Sequence, residues 1–157
     1  MFNKIVLALD GSPESLAAIP YARELVQREG GSIEAIHVRE LLMGRAGGQT
    51  LNANEDEMAA SVRRAVDELA QAGVSVTLDV ASAAAGGPAQ VIADLARRSQ
   101  ADVIVVGTRG RGQVAGLLLG SVTQRLLHLA HCPVLAVPPG AVAHQEQETP
   151  EAAAALS

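Results

Sequence analysis

Five short runs rich in Val, Ile, Leu and Ala, separated by stretches of helical spacing, constrain this chain more than any other feature. The runs are Lys4 to Leu9, Ser32 to Val38, Val74 to Val80, Asp102 to Val106 and Pro133 to Val137. Continuous apolar runs such as the first and fourth suit strands covered on both faces, and Lys4 to Leu9 reads as the central one. Val74 to Val80 alternates strictly, so one of its faces is expected to be more exposed and the strand to lie near a sheet edge. Strands alternating with helices five times over imply an α/β fold, a doubly wound parallel sheet with right-handed crossovers.

The intervening stretches carry their own start and stop signals. Ser12 suits a helix cap, Pro13 the first helical position and Glu14 the positive helix start. Leu16, Ile19, Arg23 and Val26 define one helical line, broadened by Ala22 and Leu25, and Gly30-Gly31 is expected to close the helix. Pro20 interrupts this pattern and is expected to kink the helix without ending it. From Arg39 to about Asn54 no period is sustained, which predicts a mobile loop. Glu55 to Gln71 then carries Met58, Val62, Ala65, Val66 and Leu69 at helical spacing, stopped by Gly73. Gly86-Gly87-Pro88 opens a helix bearing Val91, Ile92, Leu95 and Ala96, with Arg97 and Arg98 at its negative end. Val122, Leu126, Leu129 and Ala130 stripe the last helix, and Pro138-Pro139-Gly140 stops the last strand. Residues 1–139 are therefore expected to form one domain, and the Gln/Glu- and Ala-rich residues 140–157 a largely disordered tail.

Composition narrows the function. At 157 residues the chain suits one domain with a full core. Phe2 and Tyr21 are its only aromatic residues, so the core must be filled by aliphatic side chains. A formal charge of −5 and the lack of a basic stripe argue against a nucleic-acid surface, whose affinity rests on neutralising phosphates. No run reaches the roughly 18 apolar residues that span a bilayer, and Met1 to Ile5 leads straight into a strand, so the expected location is cytoplasmic, away from membranes. Cys132 is the one cysteine, which excludes an internal disulfide and a multi-cysteine metal site. Beside Pro133 it reads as a small apolar residue, with a redox-sensing thiol as the alternative.

The stretch from Asp102 to Val137 carries the chemistry. A buried strand ends at Gly107, a loop with Gly110 and Gly112 follows, and a helix opens at Gly120-Ser121. These glycines are able to take φ > 0 and let a ligand approach the backbone, while the unpaired N–H groups of a helix start attract negative charge. A polyphosphate would fit, although a tight strand-to-helix connection needs glycines too. The spacing Gly107-x2-Gly110-x9-Gly120-Ser121 resembles the G-x2-G-x9-G-[S/T] signature of the nucleotide-binding branch of the universal stress protein family. The resemblance extends to the Val6-Leu-Ala-Leu-Asp10-Gly11-Ser12 start and the Cys132-Pro-Val-Leu-Ala-Val137 ending, and covers roughly residues 2 to 138.

That resemblance implies a five-stranded sheet of order 3-2-1-4-5, of the adenine-nucleotide alpha-hydrolase type. In this order the carboxyl ends of strands 1 and 4 flank the switch point where ligands bind in open α/β sheets, so Asp10 and Gly107 converge. It further implies that Asp10, within the segment Ala8, Leu9, Asp10, Gly11 and Ser12, accepts from the adenosine of ATP, and that Val38 offers backbone groups to the adenine edge. Gly107 and Gly110 would line the ribose and first phosphates. Gly120, Ser121, Val122 and Thr123 would meet the β- and γ-phosphates at the helix start. Read from its residue type alone, Asp10 could equally be a turn or capping residue. Arg109 and Arg111 either pair with phosphate or keep the loop solvated. The lysine of a P-loop is missing, as is the Ser-Gly-Gly-type loop of ATP pyrophosphatases. His37, His128, His131 and His144 show no metal-ligand spacing beyond the His128/His131 helical pair, and no base is placed near Ser121, so no catalytic or metal residue is assigned. The implied function is a cytosolic stress and regulatory module that holds ATP, with or without Mg²⁺, pairs into a homodimer through its last strand and reports to a regulatory protein partner. A slow ATPase or phosphotransferase and a nucleotide-free dimeric scaffold are the alternatives.

Overall fold

The computed structural model describes residues 1–26, 28–43, 49–51, 53–83, 86–110 and 119–141. Its sheet is organised around β1 (Lys4–Ala8), which pairs in parallel with β2 (Ser32–Arg39) on one side and β6 (Val103–Gly107) on the other. β5 (Val76–Ser82) adds to β2 and β7 (Val134–Val137) to β6, both in parallel, giving the order β5-β2-β1-β6-β7. Counted among the sheet strands alone this is 3-2-1-4-5, as expected. Asp102 pins the start of the central pair, its Oδ2 accepting from the backbone N–H of Asn3 at 2.9 Å and Lys4 at 2.8 Å.

Each face of the sheet has its own core. Ile5 and Leu7 of β1, Ile33 and Ala35 of β2, and Val103 and Val105 of β6 pack under α2 (Ile19–Leu25) and α3 (Glu55–Gln71) through Ala22, Val62, Val66 and Leu69. The alternate residues Val6, Ala8, Ile36, Val38, Ile104 and Val106 pack under α4 (Gly87–Arg98) and α5 (Ser121–Leu129) through Ile92, Ala93, Ala96 and Leu126. Coverage on both faces is why the β1 and β6 sequences do not alternate. β5, the alternating strand, does lie at a sheet edge.

Three local expectations give way. The first helical stretch is divided: α1 (Pro13–Leu16) ends at Ala17, and α2 begins at Ile19 with Pro20 in its first turn. Proline has no N–H to continue the ladder from α1, whereas it fits the start of a new helix, so it divides the helix that it was expected only to kink. α2 also stops at Leu25, well before Gly30, because Val26 turns extended and bridges in parallel to Phe2, whose N–H donates to the Leu25 carbonyl at 2.8 Å. Within the stretch expected as a loop, β3 (Leu41–Met43) and β4 (Gln49–Leu51) pair antiparallel. Three-residue strands are too short to show a period. Residues 44–48 and 52 of that stretch, Arg111 and Gly112 of the glycine loop, and the expected tail from residue 142 onward with His144 lie outside the described residues.

Candidate functional site

β1 ends beside β6 at the point where the chain winds to opposite sides of the sheet, and a cleft opens there. It has a volume of about 210 Å³. Its walls come from the β1 end (Ala8, Leu9, Asp10), β2 (Ile36, Val38) with Glu40 beyond it, α4 (Pro88, Ile92), the β6 end (Val106, Gly107, Arg109, Gly110) and the start of α5 (Gly120, Ser121, Val122, Thr123).

Asp10 fills the turn role that its residue type suggested. Its Oδ1 accepts from the Ser12 N–H at 2.8 Å and the Ser12 hydroxyl at 2.5 Å, which folds the corner, while Ser12 Oγ caps α1 by accepting from the Ser15 N–H at 3.2 Å. The other oxygen, Oδ2, is directed at Gly110: a β-carbon on that glycine would lie 2.5 Å from it. Gly11 and Ser12 do not line the cleft; they build the corner that aims Asp10. Gly11 has φ of +82°, and a β-carbon there would lie 2.6 Å from the Met58 carbonyl oxygen.

Beyond the end of β6, the loop from Thr108 is drawn shut at its base. The Gly120 N–H donates to the Thr108 carbonyl at 2.7 Å, and Thr108 N–H donates to Val137 at 2.8 Å. Gly120 caps α5 with extended backbone and has no side chain to bond the helix start, and Gly120, Ser121, Val122 and Thr123 line the cleft at the positive end of the helix. Buried Thr123 fixes that end, its Oγ1 donating to the Gly107 carbonyl at 2.9 Å. Gly107 and Gly110 do not adopt positive φ. What requires glycine there is room: a β-carbon at Gly107 would lie 2.9 Å from the Glu14 carbonyl oxygen.

Eleven of the residues picked from the sequence, all but Gly11 and Ser12, thus meet around one cleft. Several lining residues were missed. Ile36 follows from period-two alternation with Val38, but Pro88 and Ile92 of α4 carry no local mark that distinguishes them from ordinary helix residues. The deepest omission is a buried pair beneath the cleft. His37 Nε2 lies 2.5 Å from Glu55 Oε1, joining the strand that carries Val38 to the first residue of α3.

The cleft at the switch point is thus lined by the Asp10 segment, the end of β6 and the start of α5, on the fold that was expected. The family model described as the universal stress protein family matches residues 1–138. The chain belongs to the universal stress protein family. A universal stress protein of Thermus aquaticus is 35% identical over 139 residues, covering 87% of this chain and 99% of that protein. One from Methanocaldococcus jannaschii is 31% identical over 143 residues, covering 87% and 82%. Among solved structures, the hypothetical protein MJ0577 superposes with a TM-score of 0.71 at 21% identity over 88% of this chain and 96% of that one. A universal stress protein in complex with cAMP superposes at 0.60 with 25% identity, covering 87% and 96%. One from Archaeoglobus fulgidus in complex with dAMP does so at 0.62 with 21% identity, covering 87% and 98%.

Proposed function

We propose that this universal stress protein binds ATP at the switch-point cleft and works as a nucleotide-dependent regulatory module. The observation that carries the reading is that Asp10, whose Oδ2 is directed at Gly110, and the start of α5 line one cleft. A carboxylate accepts from sugar hydroxyls, and a helix start binds phosphate, so the two groups suit the sugar and the phosphates of a nucleotide. Apolar Ile36, Val38 and Ile92 lie between β2 and α4, where a flat base would fit. The cAMP complex of a relative supports an adenine nucleotide as the class of ligand. Arg109 also lines the cleft, and its positive charge favours a phosphate there.

Mg²⁺ would be held chiefly by the phosphates, with Asp10 or Glu40 as the carboxylates within the cleft, since this ion is content with one or two protein ligands. Phosphoryl transfer also needs a positioned nucleophile and charge stabilisation. The site supplies groups that hold phosphate, and the function that follows is storage and signalling with hydrolysis well below the ~1 s⁻¹ of slow enzymes. β7 forms one edge of the sheet, and an edge of half-buried Val134, Leu135 and Ala136 invites pairing with the β7 of a second copy. A strictly monomeric mass across micromolar concentrations would remove the dimer. Mass spectrometry of nucleotide released from the purified protein tests the ligand: ATP with its γ-phosphate intact supports storage, whereas rapid conversion to ADP would favour an enzyme.

A further inference from the structure

His37 and Glu55 form a buried polar pair to which the nucleotide reading assigns no task. His37 is fully buried and Glu55 is 2% exposed. Groups of this kind are costly away from water unless partnered, and the partners here are specific. Imidazole Nδ1 lies 2.9 Å from the Leu9 carbonyl oxygen, which only accepts, so Nδ1 carries a hydrogen. Nε2 lies 2.5 Å from Glu55 Oε1, a separation that requires one proton between them. Leu9 N–H donates in turn to the Ile36 carbonyl at 2.9 Å. The residue immediately before Asp10 is therefore tied to β2 twice, once through backbone and once through the His37 side chain. Glu55 begins α3, and three residues later the Met58 backbone presses on Gly11, whose β-carbon would be 2.6 Å from the Met58 oxygen. Leu9, His37, Glu55, Met58 and Gly11 close a circuit around Asp10.

We infer that His37 and Glu55 are positioning residues for Asp10: by seating the first turn of α3 on the Gly11 corner, they fix the carboxylate that faces Gly110. The inference rests on the nucleotide reading for its ligand, while its geometry is independent of any ligand. The segment between β2 and α3 leaves the cleft at Glu40 and ends at Glu55, the first residue of α3. Occupancy of the cleft and seating of α3 must then strengthen each other by the same factor, which gives the protein a route from bound nucleotide to α3.

Amide hydrogen exchange on the nucleotide-free protein tests the corner directly. The Asp10 N–H donates to Ser15 Oγ at 3.2 Å and the Ser12 N–H to Asp10 Oδ1 at 2.8 Å, so both amides report on it. Glu55→Ala should raise exchange at these two amides about tenfold or more, beyond what the loss of global stability measured in urea accounts for. Glu55→Gln keeps a hydrogen-bonding group opposite Nε2 and should restore most of the protection. Titration of the same three proteins with ATP and AMP should show both ligands weakened by a similar factor in Glu55→Ala and recovered in Glu55→Gln. Unchanged exchange at Asp10 and Ser12, or a Gln variant as open as the Ala variant, overturns the positioning role even if nucleotide binds normally. If the parent binds no nucleotide while exchange responds as expected, the nucleotide reading falls and the seating of Asp10 by the pair stands.

Discussion

Asp10 and Gly110 stand so close at the edge of the cleft that a β-carbon on residue 110 would lie 2.5 Å from Asp10 Oδ2. Two segments a hundred residues apart in sequence are thereby matched to within the size of one methyl group. Gly110→Val should displace the Asp10 carboxylate as well as narrow the cleft. Because Gly110 lies on a loop, the fold should survive by circular dichroism while ATP affinity falls by about tenfold or more, the worth of one hydrogen bond to a charged group. Affinity equal to the parent would show that Asp10 has no part in binding.

The two ends of the cleft should respond differently to substitution. Asp10→Ala acts on the nucleoside end and should weaken ATP, ADP and AMP to a similar degree. Ser121→Ala acts where α5 opens, and should cost ATP roughly tenfold to a hundredfold while AMP is largely spared. Calorimetric titration of the three ligands distinguishes these patterns. An AMP affinity that falls as far as that of ATP in Ser121→Ala would reverse the assigned orientation.

Thr123→Val tests the tie between the helix and the central sheet. The change is nearly isosteric, and it deletes the bond from Thr123 Oγ1 to the Gly107 carbonyl at a site only 2% exposed. Urea unfolding should show a loss of about 1–3 kcal/mol, the cost of leaving a buried acceptor unpaired. No loss would mean that the carbonyl is satisfied elsewhere and that α5 is held by its apolar face alone.

Much of this architecture could be read from the chain because it rests on covered strands. Ile5, Leu7 and Val105 face one layer of helices while Val6, Ile104 and Val106 face the other, so the sequence carries an unbroken apolar run at the centre of the sheet. The glycine spacing marked the cleft for a related reason: close approach of backbone leaves no alternative residue. What escaped was tertiary. Phe2 ends α2 by bridging to Val26 from the other end of a connection, and nothing near Leu25 announces it. His37 and Glu55 stand 18 residues apart, and each looks unremarkable alone, a histidine within a strand and an acid at a helix start. Only the seating of α3 against β2 makes them a pair. Of the two properties that made glycine suitable at 107 and 110, the structure uses room and not positive φ.

Cys132 packs at the margin of the α4 and α5 core, and burial, followed by the nearby Asp102 charge, pushes its thiol pKa up. A raised pKa leaves less of the nucleophilic thiolate at any pH below it, which disfavours a redox-sensing role. Alkylation by iodoacetamide at pH 8 should be slower in the folded protein than in urea, with the difference shrinking as pH rises past the ordinary thiol range. Equal rates folded and unfolded at pH 8 would contradict this placement.

The most direct test of the account is calorimetric titration of ATP into nucleotide-stripped protein, with Gly110→Val alongside and circular dichroism confirming that both are folded. The account predicts saturable binding with one ATP per chain in the parent and a sharp loss in the variant. Absence of binding for ATP, ADP and AMP in the folded parent, or equal affinity in parent and variant, would contradict it.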